Sequence, residues 1–211
     1  ARQPGERGTF GGRTARRGPG GQAGTAGNGT GVAFCPADVA AMKRDSQRAA
    51  VYEAETVVRR MFDRADENGN RTVEIAGSTV TLPVERKFAS IDSVQAYIDA
   101  VLALNWVRAT WPRADAPVHV RVRSGNTAAH YESDCAVVAL PRHTANTAWA
   151  FRELVVLHEL AHHLDPADPD ENPEPAHGPA FVHRFLTLAG EIIGPEAAFA
   201  LRACGFLACE R

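Results

Sequence analysis

The chain has 211 residues, 45% of them hydrophobic and 23% charged, with a formal net charge of −2. That balance suits one domain with a real core plus some additional chain, and it excludes a protein that binds nucleic acid through its overall charge. The longest apolar runs, such as Ala136–Leu140, are far too short to cross a bilayer, and the first residues show no signal-like apolar core, so the composition predicts a cytoplasmic protein without membrane contact.

Residues 1–35 differ from the rest. Arg2, Arg7, Arg13, Arg16 and Arg17 stand among glycines against a single acid, Glu6. Such a segment buries too little surface to offset its ordering entropy, and it reads as a disordered tail whose only nucleic-acid contact is weak phosphate tracking. The domain is predicted over 36–211. A helix is expected over 38–66, with Ala50, Ala54, Val57, Val58, Met61 and Phe62 at helical spacing. It should stop before the turn sequence Glu67-Asn68-Gly69-Asn70. Residues 72–82 alternate around Gly77-Ser78 as a hairpin, and 92–108 reads as a second helix.

Strands follow at 118–122, around 128–131 and at 135–140, the last ended by Pro141. Residues 149–164 are apolar on most faces and long enough for a buried helix, which Asp165-Pro166 stops. An acidic, proline-rich connection covers 165–175. Two further helices, 179–193 and 195–203, each begin at a proline suited to the first turn. The fold class is α+β, a small mixed sheet packed on the buried helix with further helices around it. Cys35, Cys135, Cys204 and Cys209 lack the spacing of a disulfide framework. Trp106, Trp111 and Trp149 read as core or cleft-wall residues.

The buried helix carries His158-Glu159-Leu160-Ala161-His162. Residues four apart share a helix face, so both imidazoles can reach one ion. Glu159 projects beside that ion, where it can take a proton from water. Zinc lowers the pKa of water from about 15.7 towards about 7, which makes a nucleophile available at neutral pH. Burying these groups in an apolar helix is costly without partners, and a metal supplies them. A catalytic zinc takes three protein ligands and keeps one position open. His177, just before Gly178-Pro179, is the first choice for the third; Glu191 is the next, then Asp165, Glu171 or Glu174. His163 lies off the ligand face.

This HExxH motif, followed by His177-Gly178-Pro179-Ala180-Phe181, resembles the SprT-like and related minimal zincins, in which the His of a His-Gly-x-x-Phe element is the third zinc ligand. The chain is more closely similar to a family of actinobacterial metallohydrolases defined by the same two elements. That likeness extends to Arg44-Asp45-Ser46-Gln47-Arg48, Val51-Tyr52, Glu55 and Gly194-Pro195-Glu196-Ala197-Ala198. It implies a zincin-like fold, one zinc per chain on His158, His162 and His177, and Glu159 as general base. The expected activity is that of a zinc-dependent hydrolase, a metallopeptidase acting on a peptide or protein. The alternative is a zincin fold that holds zinc as a regulatory or interaction module without cutting. The paired-cysteine ribbon of many SprT-like proteins is missing, so DNA-linked proteolysis does not carry over.

Two supporting roles complete the expectation. An edge strand can bind a peptide by sheet addition, and 135–140 occupies that place in chain order. A donor must also stabilise charge on the attacked carbonyl; His130, Tyr131 and His143 are the candidates, with Arg142 beside them.

Overall fold

The computed structural model describes residues 45–166 and 174–206. The tail expected over 1–35 lies outside the described residues, as does most of the acidic connection. The described chain is a mixed α+β arrangement of six α-helices and two small sheets. No described helix is long and apolar enough to cross a membrane.

Helix α1 (Arg48–Asn68) buries Val51, Ala54, Glu55, Val58, Phe62 and Ala65, steps of three and four that make one continuous face. It starts at Arg48: Asp45 to Gln47, within the expected helix, are not helical, and residues 38–44 lie outside the described residues. Gly69, at φ 64°, ends it in the left-handed conformation that glycine adopts most freely. The hairpin β1 (Thr72–Ile75) and β2 (Ser78–Thr81) turns at Ala76 and Gly77, both at positive φ, the pairing that matches strand twist in a two-residue turn. Arg71 ties its open end by donating to the carbonyls of Leu82 and Pro83.

The helix expected over 92–108 is two. Helix α2 (Ile91–Leu102) opens with a reciprocal cap between Ser90 and Ser93, and α3 (Asn105–Thr110) follows an extended Leu104. Had α2 continued, its buried stripe of Val94, Ile98 and Val101 would have reached Asn105. The break instead turns Val107 and Trp111 into the core.

The main sheet is mixed, as expected, in the order β3-β5-β4. Strand β3 (His119–Arg123) runs parallel to β5 (Val137–Pro141), and β4 (His130–Glu132) runs antiparallel to it. The strand proposed to lie at the edge, β5, is therefore central, with Val138, Ala139 and Leu140 fully buried. The free edges belong to β3 and β4. Gln95 covers part of the β3 edge, its amide bonding Val118 O at 2.8 Å and Val120 N at 2.8 Å, which protects otherwise unpaired backbone.

Helix α4 (Glu153–His163) packs against α1, α2, β4 and α5 (Pro179–Leu188). The predicted helix over 149–164 is split because the backbone at its start is used elsewhere. Phe88 N donates to Phe151 O at 2.8 Å and Glu153 N to Arg86 O at 2.9 Å. Arg152 is therefore extended, and only a 3₁₀ turn (Ala148–Phe151) precedes the helix. Helix α5 passes into a π-helical turn (Ala189–Ile193). Gly194, at φ 148°, then leads into α6 (Pro195–Leu201).

Candidate metal centre

Helix α4 holds His158 and Glu159 almost without solvent, at 1% and 3% exposure, and His162 half-buried. The turn before α5 returns His177 to this face. Gly178 N donates to Pro175 O at 2.8 Å. A Cβ on Gly178 would stand only 3.0 Å from that oxygen, which explains the glycine by close approach.

The ligating atoms of His158, His162 and His177 all lie within 4.8 Å of one another. The Nε2 atoms of His158 and His177 are 3.3 Å apart. Two imidazole nitrogens on one tetrahedral zinc, each at about 2.0–2.1 Å, would stand roughly 3.4 Å apart. Both rings turn Nδ1 to a carboxylate. Asp45 Oδ2 is 2.7 Å from His177 Nδ1. Glu55 Oε2 is 3.1 Å from His158 Nδ1, in ion-pair range but off the line of a hydrogen bond. A ring that gives its Nδ1 proton to a carboxylate keeps a lone pair on Nε2, so two lone pairs confront each other unless a proton or a cation lies between them. The three histidines fit a metal ion.

The surroundings are aromatic. Phe181 stacks on His162 at 4.3 Å, Phe185 meets the edge of His158 at 5.4 Å, and Tyr52 lies 5.1 Å and 5.2 Å from the rings of His158 and His177. This accounts for the spacing of His177, Gly178 and Phe181: a metal-facing ring, a tight turn, and the ring that supports His162.

Burial sets the charges. Desolvation pushes the Glu159 carboxyl up to about 7, helped by Glu55 and opposed by His158 and by a hydrogen bond from the Tyr131 backbone. Desolvation, with His158 and His177 nearby, drives His162 down to about 2. His177 is lowered by burial despite Asp45. At His158 burial favours the neutral ring, but the Glu55 carboxylate outweighs it and the net shift is upward. His162 and His177 are thus held towards the neutral form that a metal ligand needs, while at His158 the Glu55 carboxylate favours a positive charge.

A cleft of about 510 Å³ opens over Glu159 between α1 and α4. Tyr52, Glu55 and Arg59 wall it from α1, Ala128 and Ala129 from the segment before β4, and Trp149 from the 3₁₀ turn. The side chains proposed as charge stabilisers are placed otherwise. His130 bonds Glu132 at 3.0 Å. The Tyr131 hydroxyl bonds His163 Nδ1 at 3.0 Å. His143 is exposed and packs edge-on to Phe151. None of the three lines the cleft. His163 is a buried structural residue, its Nε2 3.0 Å from Arg113 O. Among the other third-ligand choices, Asp165 pairs with Arg184, Glu174 and Glu191 are exposed, and Glu171 lies outside the described residues.

Tyr52, with the Arg48 guanidinium 5.7 Å from its ring centre, escaped the sequence reading as a cleft residue, and Asp45 and Glu55 appeared only within the family likeness. One signal was available: Glu55 sits among Val51, Ala54 and Val58 on the apolar face of α1, where an unpartnered carboxylate is costly. Comparison with protein-family models, curated proteins and solved structures finds no match to this chain.

Proposed function

We propose that this protein is a zinc-dependent hydrolase with a zincin-like fold that cleaves an amide bond in a peptide or protein, using His158, His162 and His177 as ligands and Glu159 as general base. The carrying observation is the convergence of three imidazoles within 4.8 Å, with Glu159 adjacent on the same helix and open to a cleft. Three nitrogen donors, next to a cleft that Glu159 lines, suit catalytic zinc. Zinc, when bound, supplies a Lewis acid that polarises a carbonyl and activates water.

The chain's own residues supply the rest. The Tyr131 amide holds the Glu159 carboxylate in place, and burial keeps its affinity for protons near neutrality, where a base can accept a proton and return it to a leaving amine. Tyr52, beside two of the ligands and on the cleft wall, takes the charge-stabilising place that the sequence reading assigned to His130, Tyr131 or His143. The cleft is wide enough for a side chain, and the free edge of β4 runs beside α4.

The test pairs metal analysis with a broad peptide library. The wild type should carry about one zinc per chain, and Glu159→Gln should keep the metal while losing at least about 10²-fold in turnover. Zinc retention without Glu159-dependent cleavage would replace this reading with the silent zinc-binding module.

A further inference from the structure

Ligands and their supports come from different parts of the chain. His158 and His162 stand on α4 and His177 precedes α5, whereas Asp45 and Glu55, the carboxylates behind two of them, lie just before and within α1. Each carboxylate meets the Nδ1 of one ring, and the Nε2 atoms of those same two rings converge to 3.3 Å. Glu55 is nearly sealed, with a side chain 4% exposed, while that of Asp45 is 24% exposed. Arg59, one helical turn along, holds the other Glu55 oxygen at 3.4 Å.

The geometry points to Asp45 and Glu55 as the positioning residues of the metal site: they fix His177 and His158 as Nδ1–H tautomers, aim both Nε2 lone pairs at one point, and so set the affinity for the metal. The inference rests on the metal-binding part of the proposed function. Its chemistry is general: a carboxylate accepting from the far nitrogen of a ligating imidazole fixes the ring's orientation and raises its basicity, and removing it costs about 10- to 100-fold in metal affinity. The consequence for this chain is that α1 is part of the metal site. Zinc binding should tighten α1 against α4 and the α5 turn.

Two features separate this role from simple packing. The hydrogen bonding around the two pairs is not closed. Asp45 Oδ1 is buried without a hydrogen bond, and His158 Nδ1 lacks an aligned one. The carboxylates also differ in their surroundings. Asp45 has His177 as its ion-pair partner, while Glu55 divides itself between His158 and Arg59. Loss of Asp45 therefore acts on one ring, and loss of Glu55 also removes the ion pair of Arg59 in the cleft wall.

The experiment titrates zinc from the full-length wild type, Asp45→Ala, Asp45→Asn, Glu55→Ala and Glu55→Gln with a competing chelator, and follows folding of the metal-free proteins by circular dichroism. The alanine variants should bind zinc about 10- to 100-fold more weakly, and the amides, which keep an acceptor but lose the charge, should fall between alanine and wild type. Long-range ¹H–¹⁵N correlation of the zinc-loaded wild type should show His158 and His177 protonated at Nδ1. If Glu55→Ala does not fold, Glu55→Gln carries that position, and the more exposed Asp45 decides independently. A folded Asp45→Ala within about threefold of wild-type affinity, well short of the loss expected, overturns the inference, as does protonation at Nε2. A wild type that takes up no zinc overturns it together with the metal reading. Zinc uptake without Glu159-dependent hydrolysis overturns the hydrolase reading alone.

Discussion

The two ends of α4 bury polar groups to a similar depth but finish them differently. At the N-terminal end, Arg152 donates to Glu85, to Asp63 at 2.7 Å and to Arg59 O at 3.2 Å. Glu85 also accepts from Leu154 N at 3.1 Å, and Glu153 accepts from the Tyr97 hydroxyl at 2.8 Å and Arg86 N at 3.0 Å. A carboxylate at a helix start also faces the favourable end of the helix dipole. One turn further along, His158 and His177 confront each other through Nε2, and Asp45 Oδ1 and His158 Nδ1 lack hydrogen bonds. A closed network holds a helix in place; an open one of the same depth marks where something from outside completes it.

The largest effect expected from that contrast is at the closed end. Arg152→Ala leaves the Glu85 carboxylate, already pushed up by burial and held charged chiefly by Arg152, without its cation. Breaking a buried pair on one side costs about 3–5 kcal/mol, to be read from urea unfolding of the metal-free protein. Replacing both partners, as Arg152→Met with Glu85→Leu, should recover part of the loss, because no orphan charge remains. A single variant within about 1 kcal/mol of wild type, far below that cost, would show that the network does not hold α4.

At the open end the same helix should respond to metal instead. His162→Ala should remain folded, yet lose the stabilisation that zinc confers on the wild type. That gain is about 2.7 kcal/mol when free zinc is a hundred times its dissociation constant. Differential scanning calorimetry with and without zinc separates the two ends: Arg152→Ala should melt low but still rise with zinc, whereas His162→Ala should not rise. Equal zinc-induced shifts in both variants would erase the distinction.

The open end was also the more legible in sequence. His158, Glu159 and His162 follow from helical spacing, and His177 from its place before a Gly-Pro helix start; both depend on local rules. The closed end left no such signature. Arg152 is extended because residues 86–88 pair with residues 151–153, a contact across more than sixty positions, and the helix expected over 149–164 divides there. Strand order was hidden for the same reason. Nothing in the alternation of 118–122 or 135–140 states that β5 lies between β3 and β4. Tyr52 reads as one tyrosine on a helix until α1 is set against α4.

A third cluster tests whether closure alone, without burial, is enough. Asp66 joins Arg71, which ties the hairpin, and Lys87, beside the bridge to Arg152. It is as fully paired as Glu85 but its side chain is 34% exposed. The hydrogen bonds from Arg71 and then Lys87 hold its carboxyl below the usual value. A folded-state pKa below the unfolded one contributes stability that is present above the unfolded value, near 3.9, and is lost as pH falls through the folded value. Solvent screening keeps the contribution to about 0.5 kcal/mol. Asp66→Asn should therefore melt slightly below wild type at pH 7, the gap should narrow in 1 M salt, and it should close in acid below the Asp66 pKa. A gap that persists in acid would mean that the asparagine disturbs the hairpin itself. A gap of several kcal/mol at pH 7 would mean that closure stabilises without burial, and the contrast between the two ends of α4 would then rest on pairing alone.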